Sequence, residues 1–132
     1  MKVNYVTIAR PIPRSENGEI KYYAILKKKD KVKKRDLMNS ISLNTSLRAA
    51  DVSAVLEVLF TDIPNYLLDG RTVEAGELGT FYLSLKSDGT ETEEDFTIFH
   101  IKKARIRFRP SRTFRQKLGM INYEKVENGN GK

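Results

Sequence analysis

Cysteine and tryptophan are absent from the sequence, and histidine occurs once, at His100. A chain without cysteine forms no disulfide and holds no metal through thiolates. Apolar runs are short, and none approaches the roughly 20 residues that a membrane-spanning helix needs. The first ten residues lack the long apolar stretch of a secretory signal. These absences lead us to expect a cytoplasmic protein without a membrane partner.

Signatures of catalysis are missing as well. The sequence has no Gly-x-Ser-x-Gly elbow and no phosphate-cradling glycine loop, and residues 76–79 lack the spacing of a nucleotide fingerprint. The acidic residues of segment 87–95 lack the ligand pattern of an EF-hand calcium loop. A lone histidine in an apolar run is typical of a structural residue. We therefore predict no enzyme activity, no catalytic residue, no metal site and no cofactor.

Positive charge is what the sequence has in excess. It contains 24 lysine and arginine residues against 17 aspartate and glutamate residues, a net charge of +7 at pH 7. This balance favours polyanions as partners, nucleic acid first and an anionic membrane second. The basic residues concentrate in segments 27–35 and 102–117. The lysines of the first segment can either stay solvated or attract phosphates without specificity.

Turn and strand signals divide the chain into three parts. Segments 3–9 and 20–26 are rich in β-branched and aromatic residues and flank an Asn-Gly turn signal at 17–18, which predicts a β-hairpin. We predict that residues 1–32 form this hairpin extension and a basic linker. Residues 33–118 are predicted to form one domain and residues 119–132 a tail. We expect the end of the tail, residues 128–132, to be disordered.

Helix and strand patterns alternate within the central part. Residues 33–44 are predicted to form a short helix, and the i, i+3, i+4, i+7 apolar spacing of residues 49–68 predicts a long one, with Gly70 after its end. Strands are expected over 72–75, 80–86 and 96–108, with the acidic residues 87–95 between the last two. A final short helix is predicted over 111–118.

Two motifs stand out in the central part. The first is Gly-Glu-Leu-Gly-Thr-Phe-Tyr-Leu-Ser-Leu at residues 76–85, and the second is Arg-Ile-Arg-Phe-Arg-Pro-Ser-Arg at residues 105–112. Together they resemble the HU and integration-host-factor family of bacterial histone-like DNA-binding proteins. In the second motif, Phe-Arg-Pro-Ser is similar to the Phe-Arg-Pro-Gly of integration host factor. The resemblance covers residues 37–118 and includes the order of elements.

The resemblance implies an α+β fold in which two chains intertwine as a homodimer. A helical base carries a three-stranded antiparallel sheet with a protruding β-arm, and here an N-terminal β-hairpin is added. The two core phenylalanines of the family match Phe81 and Phe108. Together with the apolar stripe of the long helix, they give a predicted dimer core of Val55, Leu56, Leu59, Phe60, Ile63, Phe81 and Phe108.

The strand 103–109 alternates basic and apolar residues, so one of its faces is wholly basic. Phosphates would relieve the repulsion between these charges, whereas the alternative is a solvated face that keeps an edge strand soluble. In the resembling family this strand and the start of the last helix lie near the DNA backbone. An ordinary helix cap is the alternative at position 111. The predicted DNA-binding residues are Lys103, Arg105, Arg107, Arg109, Ser111, Arg112 and Arg115.

The arm departs from the family pattern. The family arm is basic and ends in Arg-Asn-Pro, whose proline wedges between base pairs, whereas residues 87–95 contain five acids and no proline. We therefore do not expect intercalation by this arm. The leading hypothesis is a nucleoid-associated, architectural protein that binds duplex DNA with little sequence specificity. The alternative is a structural or protein-interaction module that retains the fold, with a protein partner at the acidic arm.

Overall fold

A computed structural model describes residues 1–14 and 16–128 of the chain. Contacts within the chain define two units: Met1–Lys31 together with the segment that begins at Lys117, and Val32–Gln116. Each unit contains its own three-stranded sheet. The disorder expected for residues 128–132 concerns, apart from Asn128, residues outside the described part.

The first unit is a sheet with the strand order β2-β1-β6. Strands β1 (Lys2–Pro11) and β2 (Ile20–Leu26) pair antiparallel and form the predicted hairpin. Strand β6 (Asn122–Lys125) pairs with β1 in parallel. The segment 119–132, predicted as a tail, therefore contributes a strand. A strand of four residues is too short for a clear alternation of apolar and polar residues, so the pattern did not reveal it.

The second unit begins with two helices, α1 (Lys34–Asn44) and α2 (Ala49–Leu68), as predicted. Gly70 has a φ of 80°, the left-handed conformation expected after a helix end, and its N–H donates to the carbonyl of Leu67 at 2.9 Å. Along α2, Val52, Leu56 and Leu67 are buried. None of the helices within residues 1–14 and 16–128 is long and apolar enough to span a membrane.

The sheet of the second unit is antiparallel, with the order β3-β4-β5. Its strands are β3 (Val73–Glu74), β4 (Gly79–Ser87) and β5 (Ile101–Pro110), and helix α3 (Arg112–Leu118) follows. The element order is the one predicted from sequence, and the fold is α+β.

The strand predicted over residues 96–108 is wrong for its first five residues. The segment Ile98–His100 is a 3₁₀ turn, and β5 begins only at Ile101. The physical reason is local hydrogen bonding: the N–H of Thr97 donates to Nδ1 of His100 at 3.0 Å, and the N–H of His100 donates to the carbonyl of Thr97 at 3.0 Å. These bonds close a turn that strand pairing would have to break. His100 is thus structural, as its sequence context indicated.

At Gly79 the close approach of β5 leaves no room for a side chain on β4. Replacing Gly79 with alanine is expected to destabilise the second unit by about 2 kcal/mol or more. The reason is that the added Cβ would lie 2.3 Å from the carbonyl oxygen of Arg109 and 2.8 Å from the Phe108 ring, at a φ of 147°. Thermal unfolding followed by circular dichroism should show a lower midpoint. The matched control is Gly89→Ala, whose Cβ meets nothing within 4 Å. Equal midpoints for the two variants would contradict the prediction.

Candidate nucleic-acid interface

One face of the β4–β5 ladder carries the predicted basic residues. Residues directly opposite each other on antiparallel strands lie on the same face, and side chains two apart on one strand share it. This register groups four of the five basic side chains of β5 with four residues of β4. The opposed pairs are Lys103 with Lys86, Arg105 with Ser84, Arg107 with Tyr82 and Arg109 with Thr80. We call this set the basic face.

Two side chains of β4 hold arginines of the basic face in place. Nε of Arg107 donates to Oγ of Ser84 at 3.2 Å. The guanidinium carbon of Arg109 lies 5.2 Å from the centre of the Tyr82 ring, a cation–π distance. Sequence reasoning missed Tyr82, Ser84 and the additional charge of Lys86. The alternation along β4 could have revealed them, given the register with β5.

The charges of the basic face are not neutralised within the described chain. Three ion pairs form among residues 1–14 and 16–128: Lys2–Glu124, Arg71–Asp69 and Lys102–Asp88. None of them includes a residue of the basic face. Residues two apart on a strand have their Cα atoms about 6.6 Å apart, less than the Debye length of about 8 Å at physiological salt. The cations of the basic face therefore repel one another, and an anion on this face would be attracted.

The opposite face of the same ladder is apolar and anchors it to α2. The rings of Phe81 and Phe108 are 4.9 Å apart, and Phe108 lies 6.4 Å from Phe114 of α3. Residues Ile63 and Leu67 of α2 help to line an apolar pocket of about 310 Å³ against this face, with Pro64, Leu68, Phe81, Leu83 and Ile106. This packing orients the ladder so that its basic face points away from α2.

Ser111 caps helix α3 in this structure. Its hydroxyl donates to the carbonyl of Glu77 and accepts from the N–H of Phe114 at 3.1 Å. Its own N–H donates to the carbonyl of Leu78 at 3.2 Å. Both donors of Ser111 are therefore used within the chain, which favours the capping interpretation over a phosphate contact. Arg112 and Arg115 of α3 are exposed, and their place in the DNA-binding set stays a prediction.

The residues predicted for the dimer core divide into inward and outward groups. Leu56 is buried inside the chain, and Ile63 and Phe81 are half-buried. By contrast, Val55 keeps 59% of its surface exposed and Leu59 44%. Phe60 and Phe108 are also exposed. Apolar surface on this scale marks an interaction site on a protein surface.

The loop between β4 and β5 contains the five acidic residues of segment 87–95. Asp88 pairs with Lys102 at 3.1 Å, and its N–H donates to the carbonyl of His100 at 2.8 Å. The loop also exposes two large apolar side chains, Ile98 and Phe99. In the predicted arm segment 87–95, only Ser87 belongs to a strand, the last residue of β4.

Comparison with protein families gives a match over nearly the whole chain. Residues 1–125 match the HU-HIG family, described as an HU domain fused to a winged helix-turn-helix, an immunoglobulin-like or a glycine-rich motif. The chain belongs to the HU-HIG family. This confirms the resemblance to HU-like proteins, and it extends the match to the N-terminal hairpin that the sequence motifs did not cover. None of the curated proteins matches the chain.

Solved structures similar to this HU-HIG chain include a candidate bacterial DNA-binding protein from Bacteroides vulgatus ATCC 8482. The two share a TM-score of 0.65 at 9% sequence identity. The match covers 99% of this chain and 50% of the other, so the HU-HIG chain spans about half the length of that protein. At this identity the likeness is one of fold.

Proposed function

We propose that the chain is a DNA-binding protein that contacts the phosphates of duplex DNA through its basic face. The observation that carries this proposal is the row of cations on the basic face, none of which forms an ion pair with an acid of the described chain. Family membership supports it, because the family is built on an HU domain. The proposed contact residues are Lys86, Lys103, Arg105, Arg107, Arg109, Arg112 and Arg115.

The proposed binding has little sequence specificity. Phosphate contacts position a protein on DNA but carry no sequence information, which is read from base edges. The basic face consists of long cationic side chains, two of which are braced by Ser84 and Tyr82. Braced guanidiniums lose less conformational freedom when they meet a phosphate. A non-enzymatic, architectural role at the cytoplasmic nucleoid follows from this mode of binding.

A homodimer is part of the proposal. In α2, Val55, Leu59 and Tyr66 are spaced i, i+4, i+11, so they lie on one side of the helix, and all three are exposed. This side is adjacent to the buried side at Val52 and Leu56. One chain leaves part of this broad apolar stripe exposed to water. A second, intertwined copy would bury it.

The acidic loop supports a second candidate function, contact with a protein. Its acids would be repelled by phosphates, and its exposed Ile98 and Phe99 favour an apolar partner surface. This contact is compatible with DNA binding elsewhere on the chain, because the basic face occupies the strands and the acids occupy the loop.

The test of the DNA proposal is fluorescence anisotropy of a labelled mixed-sequence duplex at several salt concentrations. If the seven proposed cations of a protomer each neutralise one phosphate, log K should fall with log salt with a slope of about −6. Affinity should change little between duplexes of different sequence. Absence of binding at low salt would overturn the proposal, and a strong sequence preference would overturn the phosphate-only mode.

A further inference from the structure

Ile98 and Phe99 form an apolar projection at the loop end of the β4–β5 ladder. Ile98 is 75% exposed and Phe99 is 90% exposed. Each of these side chains keeps apolar area in contact with water, and burying that area against a partner would be favourable. We call residues 96–100 the apolar turn.

The apolar turn is held in place by several specific contacts. Within it, the N–H of Thr97 donates to Nδ1 of His100 at 3.0 Å, and the rings of Phe96 and His100 lie 5.3 Å apart. The carbonyl of His100 accepts from the N–H of Asp88 at 2.8 Å. Asp88 in turn pairs with Lys102 at 3.1 Å. These contacts hold the turn in a conformation that exposes Phe99 to solvent. A side chain that is already held in its binding position loses less conformational entropy when it binds.

Acids surround this projection in the sequence. Glu91, Glu93, Glu94 and Asp95 form no ion pair with any other residue that the structure describes. A phosphate backbone would be repelled by them, so the surface fits a partner that is apolar at its centre and cationic at its rim.

The first unit of the same chain contains a surface of that kind. A pocket of about 580 Å³ is lined by residues 2–4 and 26–31. Val3 and Leu26 supply its apolar part, and lysines 27, 28, 29 and 31 line it together with one acid, Asp30. Nζ of Lys29 donates to the carbonyl of Lys2 at 2.8 Å, which fixes one side of the rim. We call this the lysine pocket.

Apolar surface continues beyond the lysine pocket. Val3 and Leu26 also line a neighbouring pocket of about 570 Å³, together with Tyr5, Ala24, Ile25 and Tyr123. Tyr123 belongs to β6, and Leu26 is 58% exposed. If Ile98 and Phe99 docked at Val3 and Leu26, they would therefore contact further apolar surface. The acidic residues next to them in sequence would then lie close to the lysines.

We propose that the apolar turn of one copy docks in the lysine pocket of a second copy. Charge complementarity selects this occupant, because the acids that flank the turn and the lysines of the pocket are both without ion-pair partners in the described chain, apart from Asp88 and Lys2. This proposal rests on the protein contact proposed above for the acidic loop, and it identifies a second copy of the chain as the partner. It does not require DNA.

This contact joins two different surfaces, so it is heterologous. Each copy offers one turn and one pocket, and a head-to-tail contact of this kind propagates into rings or open chains. Combined with a symmetric α2 dimer, it would link dimers to one another. Copies bound along a duplex would then be held together by protein contacts as well as by the DNA.

The test measures assembly of the full chain without DNA, by sedimentation velocity across a range of protein concentrations. At low salt the mass should rise above that of the dimer with concentration, and at about 1 M salt, where the Debye length is about 3 Å, it should return to the dimer. Phe99→Ser should weaken assembly at least tenfold and leave the dimer unchanged, because the side chain is 90% exposed.

Charge exchange identifies the two surfaces. Variant A carries Glu91→Lys, Glu93→Lys and Glu94→Lys, and variant B carries Lys27→Glu, Lys28→Glu and Lys29→Glu. Each variant alone should remain a dimer at low salt. A mixture of the two should assemble again, because the turn of each now complements the pocket of the other.

Three results would overturn the proposal. The first is a wild-type mass that stays at the dimer at low salt, and the second is a mixture of A and B that fails to assemble. The third is a Phe99→Ser variant that keeps full assembly but loses DNA affinity, which would make Phe99 a DNA wedge instead. None of these results depends on whether the basic face binds DNA, so the two proposals fail separately.

Discussion

Replacing Arg105 and Arg107 with glutamate is expected to weaken binding to duplex DNA by at least about 100-fold, the equivalent of about 2.8 kcal/mol. The two residues lie at the centre of the basic face, and the exchange removes two phosphate contacts and adds two repulsions. Fluorescence anisotropy at fixed salt measures the loss. The salt dependence of the remaining binding should also be shallower.

The first unit offers a control with the same change in charge. Arg10 and Lys21 are exposed cross-strand partners on β1 and β2, so Arg10→Glu with Lys21→Glu alters net charge equally in a similar strand pair. We expect this control to lose much less affinity than the Arg105→Glu, Arg107→Glu variant. Equal losses would mean that net charge, rather than the basic face, governs binding. Circular dichroism of both variants checks that the fold is retained.

Replacing Val55 and Leu59 with glutamate is expected to weaken homodimerisation at least about 100-fold, since two buried charges without partners each cost several kcal/mol. Both side chains are exposed in the single chain, so the substitutions leave its own core at Val52 and Leu56 intact. Light scattering should give about 30 kDa for the parent chain, twice its 15.1 kDa, and a smaller mass for the variant.

The side of α2 that faces away from its buried residues provides the control for this experiment. Ala54 and Thr61 are exposed there and lie about a third of a turn or more from Val55 and Leu59. Ala54→Glu with Thr61→Glu adds the same charge, and the dimer should persist. If both double variants dimerise as the parent does, the second copy does not cover the Val55–Leu59 side. If the Val55 and Leu59 variant unfolds outright, its helical signal disappears, which would indicate that the monomer depends on the dimer.

Much of the second unit could be predicted from sequence because its signals are local. The apolar period of α2 gave its bounds at Ala49 and Leu68, and the left-handed Gly70 marked its end. Alternation along β5 was sufficient to place four of its five cations on one face. Each of these patterns repeats over several turns or residue pairs, so a single exception does not hide it.

Features that depend on one or two particular contacts could not be predicted from the sequence. The 3₁₀ turn before β5 follows from the bond between Thr97 and the His100 ring, while its apolar residues resemble a continued strand. The braces at Tyr82 and Ser84 require the β4–β5 register, which alternation alone does not supply. Strand β6 is defined by its pairing with a segment more than a hundred residues away.

The parallel pairing of β1 with β6 has a consequence for folding on the ribosome. Strand β1 can form its hairpin with β2 as soon as Leu26 has emerged, because the two are close in sequence. Its other edge must wait until Asn122–Lys125 has been synthesised. While residues 27–121 are being synthesised, that edge is an unpaired template for other strands. The first sheet is therefore completed in a late step of high contact order. We expect this step to be slower than formation of helices α1, α2 and α3, which lie between β2 and β6 in the sequence.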